Sequence, residues 1–134
     1  GGTGKHYQVS CVSMGNPHCV IFVDDVNAID LPGEGHQLEI DAHFPNKTNV
    51  EFAQKLSGNH FRMRVWERGT GITLACGTGT CAAVVAAILN GFADKSADVD
   101  LDGGSLHIDW AGSSKDHVYM TGPAVKVFEG DISL

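Results

Sequence analysis

Nowhere in these 134 residues does an apolar run approach the roughly 18 residues that a membrane-spanning helix requires. No charged-then-apolar leader opens the chain either. Basic residues are scarce, nine Lys and Arg against sixteen Asp and Glu, for a net charge of −7. With no basic run, a nucleic-acid or anionic-membrane surface is not expected, and the partner is a small molecule or another protein. Cysteine is limited to Cys11, Cys19, Cys76 and Cys81, all in segments that read as buried strand or helix and without the density of a secreted scaffold. Free thiols and a cytoplasmic location are the expectation. Seven histidines are present, but none stands at ligand spacing with another His or a Cys pair, so no metal is expected. Repeats, low-complexity tracts and linkers are missing as well, which leaves one compact unit. The chain opens Gly1-Gly2-Thr3 without an initiator Met and reaches its first strand at once, as a fragment would.

What is present is enough apolar material, 43% of residues, to bury a core. Alternation marks strands at residues 9–14 and 19–24, joined by the turn-forming Gly15-Asn16-Pro17-His18. A helical segment follows at 30–41, its start made irregular by Pro32, Gly33 and Gly35. Strands are expected at 48–53 and 60–68. Residues 81–89 are all small or apolar and end at Asn90-Gly91, a helix stop signal. Segments 98–102 and 105–110 flank Gly103-Gly104 as a hairpin, and strands at 117–121 and 125–128 close the chain. Many short strands around one strongly apolar helix indicate an α+β, barrel-like domain wrapped around that helix.

Chemistry concentrates between Glu67 and Cys81, where Cys76 stands at the passage from a strand through a glycine turn into a helix N-terminus. Backbone N–H groups at Gly77, Thr78 and Gly79, with the positive end of the helix dipole, favour a thiolate and bind carboxylate or phosphate. A buried structural thiol is the bland alternative, but packing alone does not require the flanking glycines. Period-two alternation puts Glu67 on the apolar face of Phe61, Met63 and Val65. An inward carboxylate needs a structural cation or a ligand ammonium, and the adjoining Arg68 suits a carboxylate; an amino acid supplies both. His18 shares a tight loop with Asn16 and reads either as a backbone-bonded loop histidine or as a group that tunes a nearby thiol. Gly77 to Ala82 also fits a dinucleotide fingerprint, but no apolar parallel strand follows. Asp98, Asp100, Asp102, Gly103 and Asp109 mimic a calcium loop without its flanking helices, and read as solvated aspartates.

Together, Ser13-Met14-Gly15-Asn16-Pro17-His18-Cys19, Thr48-Asn49-Val50-Glu51-Phe52, the run from Glu67 to Cys81, and Gly103-Gly104-Ser105-Leu106 closely resemble diaminopimelate epimerase. The resemblance covers essentially the whole chain but only the C-terminal half of that enzyme. It implies that residues 1–134 form the C-terminal lobe of a two-lobed, cofactor-independent epimerase of the lysine pathway, with residues 123–134 belonging with the other lobe. It further implies that Cys76 accepts the α-proton of LL- or meso-2,6-diaminopimelate, assisted by His18 and Glu67. Asn16, Asn49, Glu67, Arg68, Gly77 and Thr78 match substrate-binding positions, while Cys11, Cys19 and Cys81 match none and are expected to be core thiols. The other catalytic cysteine belongs to the missing lobe, so the isolated chain is expected to be inactive. Phe128 stands where many relatives carry a tyrosine linked to dimer contacts, and a homodimer of the full-length enzyme stays open. Two other readings also stay open: a related isomerase of the proline racemase or phenazine-biosynthesis kind, and a non-enzymatic anion-binding module.

Overall fold

The computed structural model describes residues 9–14, 17–39, 49–67, 71–73, 77–113, 116–121 and 126–130, excepting the side chains of residues 36, 38, 39, 67, 71–73 and 126–130. In chain order these form β1 (Val9–Ser13), β2 (Pro17–Phe22), a 3-10 turn (Val26–Ala28), α1 (Leu31–Glu39), β3 (Asn49–Ser57), β4 (His60–Glu67), β5 (Gly71–Thr73), α2 (Gly77–Leu89), β6 (Ser96–Leu101), β7 (Gly104–Trp110), β8 (Val118–Thr121) and β9 (Lys126–Gly130). The strands make one sheet in the order β1-β2-β3-β4-β6-β7-β8-β9, with β5 attached to β4.

Two strand pairs are parallel, β2 with β3 and β4 with β6, and each is bridged by a helix. β4 runs opposite to β3. Two crossovers of one hand, stepping the same way across the sheet from strands of opposite direction, must place their helices on opposite faces. The cores agree. On one face α2 packs with Val12, Met14, Val20, Phe61, Met63, Val65, Val99, Ile108, Trp110 and Val118. On the other, Cys19, Ile21, Val50 and Phe52 pack with Val26 and with Leu31 of α1.

α2 touches β1, β2 and β3 on one side and β6, β7 and β8 on the other, so the sheet curls around it. Every residue from Gly79 to Ala87 is buried, which is why the helix is apolar all round instead of striped. Full burial of Val84 or Val85 is worth about 1.5–3 kcal/mol each. The expected α+β domain wrapped around an apolar helix is therefore the fold observed.

Several boundaries differ from the sequence reading. Pro17 and His18 belong to β2, not to the turn; Pro17 opens the strand, where its missing N–H costs nothing. α1 begins at Leu31 because Asp30 caps it, its carboxylate accepting from the Gly33 N–H at 3.3 Å. Gly35 lets α1 lie against β4, since a Cβ there would come within 2.6 Å of Trp66 Cβ. The expected hairpin forms one residue earlier, with Asp102 and Gly103 in the turn and Leu101 paired to Gly104. β9 pairs with β8 from Val118 to Thr121; residues 122–125 and 131–134 lie outside the described residues.

The thiols divide. Cys19 and Cys81 are fully buried, as expected, but Cys11 is exposed. The correction has a simple cause: β1 has only β2 beside it among the described strands, so its outer flank lacks the cover that an interior strand receives.

Candidate active site

Three strand ends and one helix start meet at the same end of the sheet. In β2, His18 lies beside Asn49, the first residue of β3. One step past the Val50–Trp66 pair lie Asn49 in β3 and Glu67 in β4, and Glu67 is paired in turn with Gly71 of β5. β5 leads within four residues to Gly77, where α2 begins. The helix then runs toward the far end, where the Asn90 amide donates to Ser10 Oγ at 3.0 Å and Phe92 meets Phe22 edge-on. The positive end of the α2 dipole therefore belongs to the end that holds His18 and Asn49.

His18 and Asn49 are almost wholly buried. The Asn49 amide donates to the Pro17 carbonyl at 3.0 Å, tying the start of β3 to the start of β2. His18 lies 2.5 Å, through Nδ1, from Glu51 Oε1, and both side chains are fully excluded from solvent. The contact joins the ring to a carboxylate oxygen through Nδ1 and so fixes the imidazole with Nε2 at its other side. His18, Val20, Asn49, Glu51 and Val65 share the face that carries α2, as their register and the core around that helix require.

Glu51 is the site residue that the sequence reading passed over. The signal was there: Val50 and Phe52 face the α1 side, so a strand buried on both faces had to turn a carboxylate toward α2. Gly77 and Thr78 are half-buried in the first turn of α2, and a Cβ at Gly77 would stand 3.0 Å from Met120 Cε. The helix start is thus drawn close to β8. Asn16, Arg68 and Cys76, expected in the site, lie outside the described residues, as does the side chain of Glu67; Cys76 immediately precedes Gly77 in sequence.

A second polar cluster occupies the outer face of the hairpin. His107 Nδ1 lies 2.8 Å from Asp98 and its Nε2 3.1 Å from Asp109, while His60 Nε2 lies 2.6 Å from Asp100. Arg62 pairs with Asp102. The hydrogen bond that Asp98 accepts, helped by the one to Asp109, raises the His107 pKa against a smaller opposing effect of burial. Ser105 and His60 lower that of Asp100. Asp98 and Asp100 on β6, Asp109 on β7 and Asp102 in the turn are thus each paired with an imidazole, a guanidinium or a hydroxyl of the hairpin and β4. Among the described residues no three His, Cys, Asp or Glu gather as a metal site, and no helix is long and apolar enough to cross a membrane.

The model of the diaminopimelate epimerase family matches residues 10–127. A diaminopimelate epimerase from Phocaeicola vulgatus is 58% identical over 132 residues, which are 98% of this chain and 46% of that protein. One from Desulfovibrio desulfuricans is 55% identical over 96% of this chain and 44% of its own length. The chain thus spans about half the length of these curated relatives. Among solved structures, a PhzF-family phenazine biosynthesis protein from Bacillus anthracis superposes with a TM-score of 0.57 at 18% identity, over 85% of this chain and 38% of that one. That likeness concerns the fold.

Proposed function

Because the chain belongs to the diaminopimelate epimerase family, we propose that it is the C-terminal lobe of an enzyme interconverting LL- and meso-2,6-diaminopimelate for lysine biosynthesis, with no prosthetic group. The observation that carries this reading is the convergence, at one end of the sheet, of buried His18 and Asn49 with the first turn of the helix that directly follows Cys76.

In this mechanism the Cys76 thiolate removes the α-hydrogen as a proton, and the bonding pair stays on the α-carbon. A thiol of the other lobe delivers a proton to the opposite face, inverting the centre. The N–H groups at Gly77 and Thr78 hold the α-carboxylate, onto which the developing negative charge spreads, so the helix end stabilises the carbanion more than the ground state. Asn16, Asn49, Glu67 and Arg68 bind the polar ends of the substrate, with Glu67 also assisting the thiols. His18, held by Glu51, sets the polarity beside the thiolate. An amino-acid α-hydrogen is a very weak acid, so both bases must be positioned in advance and water excluded. Identity of 58% to a diaminopimelate epimerase, against 18% to a phenazine biosynthesis protein, favours this substrate over that of the related isomerases.

The test is solvent deuterium exchange at the α-carbon of diaminopimelate, catalysed by the full-length protein that this chain completes. Cys76→Ala should lower exchange by about 10²–10⁴-fold, the usual weight of a positioned base, with an unchanged circular dichroism spectrum. Undiminished exchange would remove Cys76 from the role of base, and no exchange by the full-length parent protein would favour the anion-binding module instead. The 134-residue chain alone should give no exchange above background; a rate near that of the complete protein would refute the two-lobe reading.

A further inference from the structure

Cys11 and Cys19 are direct cross-strand partners in the antiparallel pair of β1 and β2. They share one face of that pair. Val12 and Met14 belong to the core around α2, so Val9 and Cys11 point the other way, and Val9 does pack on the second core, where Cys19 and Ile21 lie. One thiol is exposed and its partner is fully buried, and both are reduced.

We propose that Cys11 and Cys19 form a redox modification site that closes a reversible cross-strand disulfide. Opposed residues of antiparallel strands hold their Cα atoms about 4.5–5.5 Å apart, within the roughly 4.4–6.8 Å that a disulfide spans. Their Cβ atoms, at about 4.5–5.5 Å, must draw in toward about 3.8 Å. β1 can make that adjustment at Cys11 because β2 is its only neighbour among the described strands. Val12, pinned in the core, keeps the movement local. A bridge closed against such resistance belongs to the labile, easily reduced kind.

The oxidant is a low-molecular-weight disulfide such as glutathione disulfide. The Cys11 thiolate attacks one sulfur of the oxidant, forming a mixed disulfide and expelling one glutathione thiolate. The Cys19 thiolate then attacks the Cys11 sulfur, the mixed disulfide breaks and a second glutathione thiolate leaves. Two protein thiols are oxidised, one glutathione disulfide is reduced to two thiols, and the two protein protons pass to those thiols. Exposure of Cys11 gives the first step its access; burial of Cys19 restricts it to the second.

The sequence supplies a clean readout. Met14 lies between the two cysteines, and Met63 separates Cys19 from Cys76 and Cys81, so cyanogen bromide puts Cys11 in fragment 1–14, Cys19 in 15–63 and the other two in 64–120. The 134-residue chain is treated with glutathione disulfide, alkylated, cleaved and examined by non-reducing mass spectrometry. Fragments 1–14 and 15–63 should be joined, and dithiothreitol should separate them. Cys11→Ser should abolish the link and leave Cys19 alkylated only after unfolding. Cys19→Ala should halt at Cys11 bearing one glutathione. The proposal is overturned if Cys11 in the parent chain stays glutathionylated, pairs with Cys11 of a second molecule, or joins fragment 64–120 instead.

Discussion

At His18 and Glu51, two side chains that prefer water are both fully excluded from it, 2.5 Å apart. Such a pair is weak evidence of stability as a pair, but removing one member strands the other's charge or hydrogen-bonding capacity in the core. Glu51→Ala should therefore destabilise the chain by about 3–5 kcal/mol. Glu51→Gln keeps a hydrogen-bonding partner for Nδ1 and should cost nearer about 1 kcal/mol. Urea titrations followed by far-ultraviolet circular dichroism measure both; an alanine variant within experimental error of the parent would show that the pair does not hold the core. Half of this arrangement was legible in the sequence. An acidic residue between Val50 and Phe52 announces itself, and the motif containing Asn16 and His18 drew attention to the imidazole. Their meeting was not legible, because it depends on the parallel register of β2 on β3 across α1, which no local pattern encodes.

Among the elements, the hairpin of β6 and β7 carries its charge pairs on the solvent face, where their pH dependence can be worked out. The Asp98 hydrogen bond raises the His107 pKa above its ordinary 6.5. The stabilisation it brings is complete below about pH 6.5 and is lost as pH rises through the elevated value. Asp100, lowered from 3.8 chiefly by the Ser105 hydrogen bond, works in the other direction: its contribution is present above 3.8 and lost as pH falls through the lower value. Both contributions are complete between those limits. Nuclear magnetic resonance titration of the His107 ring should give a midpoint above 6.5, and Asp98→Asn should bring it down. The same variant should flatten the fall in thermal midpoint on the alkaline side of 6.5. A His107 midpoint unmoved by Asp98→Asn would contradict the assignment of cause. The strands of this region were readable from period-two alternation, yet the turn slipped by one residue. Asp102-Gly103 and Gly103-Gly104 are both good two-residue turns, and only the pairing of Leu101 with Gly104 decides between them. β5 went unseen for a related reason: three residues are too few to show a period, and β4 recruits them.

For the molecule as a whole, the sequence conveyed the class, short strands around an apolar helix, but not that the sheet carries a separate core on each face. The uniform apolarity of residues 81–89 told of a helix enclosed on all sides. The placing of α1 on the opposite face follows from the reversal between β3 and β4, a long-range property of the topology. The two cores nevertheless share their backbone. In β2, Val20 faces α2 and Ile21 faces α1; in β3, Glu51 and Phe52 divide likewise, and in β4 so do Val65 and Trp66. Neither face can lose its ladder without exposing the other, so unfolding should be a single cooperative step. The chain's two tryptophans make this measurable, because Trp110 is buried in the α2 core with its Nε1–H donating to the Ser113 carbonyl at 3.0 Å, while Trp66 packs on the α1 core. Trp110→Phe leaves the α1 face as the sole fluorescent reporter, and Trp66→Phe leaves the α2 face. Within each variant, the fluorescence transition in urea should coincide with that of far-ultraviolet circular dichroism, whatever the variant's own midpoint. A Trp66 signal that melts at lower urea than the backbone signal of the same variant would mean that α1 and its core detach first, and that the strands shared by the two faces are not enough to couple them.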